Sequence, residues 1–438
     1  MHPSILSLLL SALVASSSVT ASSCVVRRPV IQAHPLQPGK PHAISPRRDP
    51  AKTCFVPSQG NGQDDSSSIL SAFHTCNHGG TVVLDLNYTI SNPLDLTFLD
   101  SVDVAISGTV NFAGDVYGWT EKTFKYAYQD SSAMWRFGGR DVNIYGGGKG
   151  LINGNGQPWY DEFQKNSTLR RPILLVLDGL QGGSVTGLHM INSPNWFNLI
   201  ANSSDIIVSS IDIKVWSTNS NPAKNTDGWD TYRSDSIVIQ DSTINNGDDC
   251  VSFKPNSTNI VIQGLSCNGS HGISVGSLGQ YIDEYDIVEH IYVYNISMTN
   301  ASDGARIKVW PGNYTPFQPS LTGGGGSGHV KNVTYDGLYN YNNDWAIELT
   351  QCYGQKNQTV CDLYPSNMTI EDVTFKNMWG TTSKKYDPKV ATLVCSSPDK
   401  CINIRTENIT VKPPSGKTAQ YVCVNMDNDL LNVNCVSA

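Results

Sequence analysis

The stretch SDSIVIQDSTIN (residues 234–245) is followed almost at once by TNIVIQGLSCNG (258–269), and the two are built alike. Each opens on polar residues, runs through an alternating β-branched core and closes on Asn, Ser or Gly. Period-two alternation buries one face of a strand. The same phrase recurs as DVNIYGGGKGLING (141–154), SDIIVSSIDIKV (204–215), EHIYVYNISMTN (289–300), KNVTYDGLYN (331–340), MTIEDVTFKN (368–377) and INIRTENITV (402–411). Ile207, Ile237, Ile260 and Ile291 are expected to occupy matching places, 30, 23 and 31 residues apart. A repeat of short strands without intervening amphipathic helices predicts a stacked solenoid, disfavouring α/β barrels and doubly wound sheets. The expectation is an all-β, right-handed parallel β-helix in one domain, with a β-sandwich or propeller as the alternative. Residues 65–76, DSSSILSAFHTC, have helical apolar spacing and are expected to cap its N-terminal end. The glycine run 323–326 reads as a flexible loop tip.

The bulk numbers bound the function. With 438 residues, a net charge of −8 and no Lys/Arg run longer than a pair, the chain is a poor nucleic-acid binder. A polyanionic ligand would have to be held by local cations in a cleft. The apolar run Ile5–Val14 and the small residues that follow predict a signal peptide over 1–21, and no later segment is apolar enough to span a membrane. A Pro-rich extension over 22–50 carries two dibasic pairs, Arg27-Arg28 and Arg47-Arg48, and the solenoid domain is expected over 51–438.

Secretion also fits the twelve N-x-S/T sequons, at Asn87, Asn166, Asn202, Asn256, Asn268, Asn295, Asn300, Asn313, Asn332, Asn357, Asn367 and Asn408. Eleven cysteines suit an oxidising compartment. Spacing suggests the pairs Cys54–Cys76, Cys250–Cys267, Cys352–Cys361, Cys395–Cys401 and Cys423–Cys435. Cys24 is left over, and dibasic processing would remove it.

The chemistry gathers in the middle of the chain. TINNGDDCVSF (243–253) sets two adjacent acids, Asp248 and Asp249, beside an alternating strand. Asp227 in NTDGWD precedes Asp248 by 21 residues, and His271 in GSHG follows Asp249 by 22. Both gaps are close to one repeat, and positions one coil apart stack about 4.8 Å from each other. Asp227, Asp248/Asp249 and His271 should therefore fall on successive coils of one face. ARIKVW adds Arg306 and Lys308, two apart on one side of a strand, with a loop insertion expected around Gln280–Glu289. Gly247 is expected to let the backbone bend so that both neighbouring acids reach one cleft.

Such a cluster suits hydrolysis of an acidic glycan. One carboxylic acid protonates the leaving oxygen, a carboxylate activates water, and crowding raises at least one pKa. Each element also has a plainer reading. DD after NG is commonly a turn, NTD an Asx-turn, a His between Ser and Gly a loop residue, R-x-K a solvated face, and Cys250 a disulfide partner. Their order and near-repeat spacing favour the catalytic reading.

NTD, GDD, SHG and RIK, in that order, resemble the four signature motifs of the polygalacturonases, glycoside hydrolase family 28, and the resemblance spans roughly residues 55–438. It implies a right-handed parallel β-helix and metal-free inverting hydrolysis of α-1,4-linked galacturonic acid without a cofactor. By motif, Asp248 resembles the general acid, Asp227 and Asp249 the water-activating pair, and His271 the active-site histidine. Asn225, Arg306 and Lys308 resemble substrate-binding residues, and Cys250–Cys267 the family's disulfide. NTDGWDTYRS and SHGISVGSLGQY are similar to exo-acting fungal members. Trp345 in DWAIELTQCY stands where endo-acting members carry a product-side tyrosine. Insertions around 275–290 and 311–329 are expected to wall off one end of the cleft.

The resulting expectation is a monomeric, secreted exo-polygalacturonase acting on pectic homogalacturonan. Endo-polygalacturonase and xylogalacturonan hydrolase remain as alternatives on the same fold. A pectate lyase and a non-catalytic glycan-binding β-helix are the readings from other classes.

Overall fold

The computed structural model describes residues 26–437, except 34, 40, 41, 319, 320 and 356, and the side chains of 316–321. The predicted signal peptide and Cys24 lie outside the described residues. Twenty-seven strands join in one sheet whose consecutive coils pair in parallel, forming a β-helix. Among the described residues the antiparallel pairings are confined to two small hairpins, Phe124–Lys125 with Ser132–Ala133 and Thr315–Gln318 with Leu321–Gly323.

The repeated phrase builds the core as ladders. Ile206, Ile237, Ile260, Ile291, Val333, Val373 and Ile404 stack in successive coils. Val208, Ile239, Ile262, Val293 and Tyr335 form a second ladder two residues on, and both rows are buried. The expected partner of Ile237 was Ile207, and the structure corrects it to Ile206. A shift of one residue turns a side chain to the other face, and Ile207 pairs with Val238 on the outward side. Two adjacent isoleucines made either register compatible with the pattern.

Turns between strands explain the asparagine content. Asn202, Asn256, Asn295, Asn300, Asn332 and Asn408 all adopt positive φ, a region asparagine tolerates better than most residues. These sequon asparagines thus occupy corners of the coils.

The helix Ser66–Cys76 covers the N-terminal end as expected, with Ile69 and Phe73 buried and Phe73 edge-on to Phe137 at 5.9 Å. All five disulfides form with the expected pairing.

The described residues ahead of the first strand, from 26 on, lie as a strap along the outside of the coils. Ile31, Ala33 and Leu36 cover the outward apolar row Ile207, Val238 and Val261. Gln263 receives a hydrogen bond from the Leu36 amide and donates one to its carbonyl, at 3.2 and 3.1 Å. Arg28 and Arg48 both bind Asp103, at 2.7 and 2.9 Å, and Arg48 also binds Asp141 at 2.8 Å.

The glycine run is packed rather than loose. The amides of Gly324 and Gly326 donate to the carbonyls of Gln280 and Gly279, at 2.9 and 3.2 Å. A Cβ on Gly326 would lie 2.5 Å from the Tyr281 carbonyl oxygen. Glycine is needed there because two backbones touch.

Candidate active site

The strands Trp229–Tyr232, Val251–Phe253, Ile273–Leu278, Asp303–Val309 and Trp345–Thr350 lie side by side in successive coils. Their register pairs Trp229 with Val251, Val251 with Ile273 and Ile273 with Ala305. Two residues earlier, the same register aligns Asp227, Asp249, His271 and Asp303, and Asp303 pairs directly with Trp345. The predicted acids and imidazole do share one row. Asp248 sits beside it in the turn between Thr243–Asn245 and Val251–Phe253.

That turn is held in detail. The Asn246 side-chain amide donates to the carbonyls of Thr226, Asp248 and Asp249, at 2.9, 2.9 and 2.8 Å. The Gly247 amide donates to Thr226 Oγ1 at 3.1 Å, and a Cβ there would lie 3.0 Å from the Ala223 carbonyl oxygen. Close packing, with φ in the ordinary negative range, is thus the reason for this glycine.

Each predicted residue has a defined partner. His271 Nδ1 lies 3.0 Å from Asp248 Oδ1, and Asn225 Nδ2 donates to Asp248 Oδ2 at 3.4 Å. Buried Asp249 accepts from Lys308 Nζ at 2.6 Å and from Ser274 Oγ at 2.7 Å, with an Arg306 NH group 3.8 Å away. Arg306 donates to Glu348 at 2.6 Å and faces Asp303 at 3.5 Å. Both cations are therefore balanced by protein carboxylates. Trp345 lies two rungs beyond His271 and stacks on Tyr386, with centroids 4.1 Å apart.

Several neighbours escaped the sequence reading. Asp230, three residues past Asp227, is fully buried, and neither of its oxygens receives a hydrogen bond of ordinary geometry from the described residues. Buried Lys254 points its ammonium between Asp230 and Asp227, at 3.4 and 3.7 Å, with the Trp196 ring 5.1 Å away. Arg171 holds the NTD turn through the Lys224 carbonyl and Asn225 Oδ1, at 2.6 and 2.7 Å. Lys254 was detectable in principle, because it shares a column with Gly276 and Lys308 once the coils are aligned.

The acids diverge in proton affinity. Burial, then repulsion from Asp248 and Asp230, pushes Asp227 well above the usual carboxylate range. Burial also raises Asp230 to about 7, against the pull of Lys254. For Asp248 burial acts upward, but the hydrogen bond and charge of His271 prevail and lower it. Asp249 is likewise lowered, burial being outweighed chiefly by Lys308. His271 is raised: burial opposes its charge, while Asp248 favours it. In the Asp248–His271 pair both shifts favour the proton on the imidazole.

Asp248, Asp249 and His271 also bring ligand-type atoms within 4.8 Å of one another. A metal cation would compete there with Lys308 and Arg306, which already neutralise Asp249.

Inserted residues meet at the C-terminal ends of the floor strands Trp229–Tyr232 and Ile273–Leu278. Tyr128, from the hairpin formed by Phe124–Lys125 and Ser132–Ala133, stacks on Tyr232 at 4.3 Å and meets Tyr281 edge-on at 6.5 Å. Gln129 Nε2 donates to Gln280 Oε1 at 3.0 Å, and Gln280 Nε2 donates to the Thr322 carbonyl at 3.0 Å. Three insertions are sutured together, the two expected ones and the unforeseen hairpin.

Grouped acids and cations on the outward face of a β-helix define a glycoside hydrolase of the solenoid type. Comparison with known proteins agrees. The sequence model of glycosyl hydrolases family 28 matches residues 81–435. A probable exopolygalacturonase X from Aspergillus fumigatus is 56% identical over 404 residues, covering 92% of each chain. An exopolygalacturonase from Cochliobolus carbonum is 55% identical over 92% of this chain and 89% of its own. The crystal structure of endo-xylogalacturonan hydrolase from Aspergillus tubingensis aligns with a TM-score of 0.79 at 34% identity, over 88% of this chain and 99% of its own. The chain belongs to glycosyl hydrolases family 28, which sets aside the lyase and non-catalytic readings.

Proposed function

We propose that the protein is an exported exo-polygalacturonase that removes galacturonic acid from the non-reducing end of homogalacturonan with inversion. The observation that supports the exo reading is the suture of Tyr128, Gln129, Gln280 and Tyr281 at the C-terminal ends of the floor strands Trp229–Tyr232 and Ile273–Leu278, which we read as a roof over one end of the cleft. A chain that abuts this roof can offer only its terminal sugar to the acids. The 56% identity to an exopolygalacturonase supports the same choice.

In this reading Asp227 and Asp249 orient and deprotonate the attacking water, and Asp248 protonates the departing glycosidic oxygen. Arg306 and Lys308 share their charge with a substrate carboxylate, and Asn225 holds Asp248 in place. The added negative charge of the substrate raises the proton affinity of Asp248. The proton on His271, 3.0 Å away, is then positioned to pass to Asp248 for delivery. Trp345 and Tyr386 offer a stacked aromatic platform on the product side. The five disulfides suit an oxidising, extracellular setting, and the twelve sequons are the candidate glycan acceptors.

Early products from polygalacturonic acid test the reading. Monomer from the first minutes, with viscosity nearly unchanged, is expected. Mixed oligomers with collapsing viscosity would make the enzyme endo-acting, and turnover restricted to xylose-branched substrate would favour the xylogalacturonan alternative.

A further inference from the structure

Lys254 is the buried cation that the proposed reaction leaves without work. It stands at the end of the strand Val251–Phe253, where Val251 and Phe253 face the core and Ser252 and Lys254 face outward. Its column neighbour Lys308 salt-bridges one water-activating acid, Asp249, at 2.6 Å. Lys254 approaches the other, Asp227, at 3.7 Å. The two carboxylates are thus served by two lysines in one column, two coils apart.

The environment makes this pairing consequential. The charged groups facing Asp227 are Asp248, Asp230 and Asp249, all anionic when ionised, and Lys254. Arg171 also acts on it from the neighbouring turn, but its guanidinium is tied to the carbonyls of Pro194 and Lys224 and to Asn225. A buried carboxylate among three others stays protonated unless a nearby cation supports its charge. A protonated Asp227 cannot take a proton from water.

We infer that Lys254 is a positioning residue for the proposed reaction: its ammonium, between the two carboxylates, favours the ionised form of Asp227, and buried Asp230 faces that ammonium from the other side. The inference rests on the assignment of Asp227 as a water-activating carboxylate.

The test is the pH profile of kcat and KM for Lys254→Met, Lys254→Arg, Asp230→Asn and Asp227→Asn on polygalacturonic acid, with circular dichroism to establish folding. Loss of a cation within this distance shifts a carboxylate by about one unit or more. Lys254→Met is therefore expected to move the acid limb of kcat upward by about one pH unit, costing about tenfold on that limb, with KM within about threefold. Lys254→Arg should restore the limb. Asp230→Asn should move it downward, because one repelling anion is gone. A uniform loss in Lys254→Met with the limb unmoved would overturn the inference. If that variant does not fold, an upward shift in Asp230→Asn would overturn it instead. Asp227→Asn separates the two layers: if it retains activity, the underlying assignment fails, whatever Lys254 does.

Discussion

Two outward faces of the same coils carry opposite chemistry. On one, the row Ile207, Val238 and Val261 is apolar and lies under the N-terminal strap. On the other, Asp230, Ser252, Ser274, Arg306 and Glu348 follow one another across five coils and form the cleft floor. Both are backed by buried ladders, isoleucine and valine beneath the strap and Trp229, Val251, Ile273, Ala305 and Ile347 beneath the cleft. The inward rows fix the fold and leave the outward rows free, so a solenoid can carry a reaction centre on one flank and a docking stripe on another. The cost of each flank differs accordingly. Charge in the cleft is tolerated only in mutually compensating groups, whereas the stripe needs only a cover.

The sharpest way to break the comparison is Asp248→Asn. It should lower kcat by about 10²–10⁴-fold with the circular dichroism spectrum and melting temperature nearly unchanged. Near-normal turnover would remove Asp248 from the acid role. Next comes Lys308→Met, which strands buried Asp249 without its 2.6 Å partner. It should cost about 3–5 kcal/mol in denaturant unfolding as well as activity, joining stability to chemistry on this flank. On the other flank the two should separate: Ile207→Ala should cost about 2 kcal/mol with kcat/KM intact. A loss of activity there would mean that the flanks communicate.

The smallest effect is a pH slope. The folded His271 value is raised above its ordinary 6.5, so its pairing with Asp248 stabilises the fold fully below about 6.5. That contribution fades as pH rises through the raised folded value. Melting temperatures between about pH 5 and 8 should therefore fall more steeply for the parent protein than for His271→Ala.

The fold was legible because a solenoid repeats its own period, and a ladder of β-branched residues survives insertions. The reading slipped where Ile206 and Ile207 stand together and alternation cannot say which one faces in. Asp227, Asp248, Asp249 and His271 were legible through near-repeat spacing. Lys254 and Asp230 were not, since a lysine closing a strand and a second acid in NTDGWD both look like solvated positions. Tyr128 was beyond reach, because nothing local tells that a residue in a hairpin will stack on Tyr232, more than a hundred positions later. The glycines at 323–326 read as slack because composition reports freedom and says nothing of a neighbouring backbone.

The strap has a consequence for timing. Leu36 bonds to Gln263, a partner made 227 residues later. Synthesis from the N-terminus leaves the strap without its seat until that coil has been laid down, and contacts of such long separation close late. The pair Arg47-Arg48 is guarded sooner, because Asp103 and Asp141, the partners of Arg48, lie 55 and 93 residues on, and the Arg48 side chain is then 4% exposed. A protease that reads this pair has a window that closes with folding: it must cut a nascent protein, or find a finished one already latched.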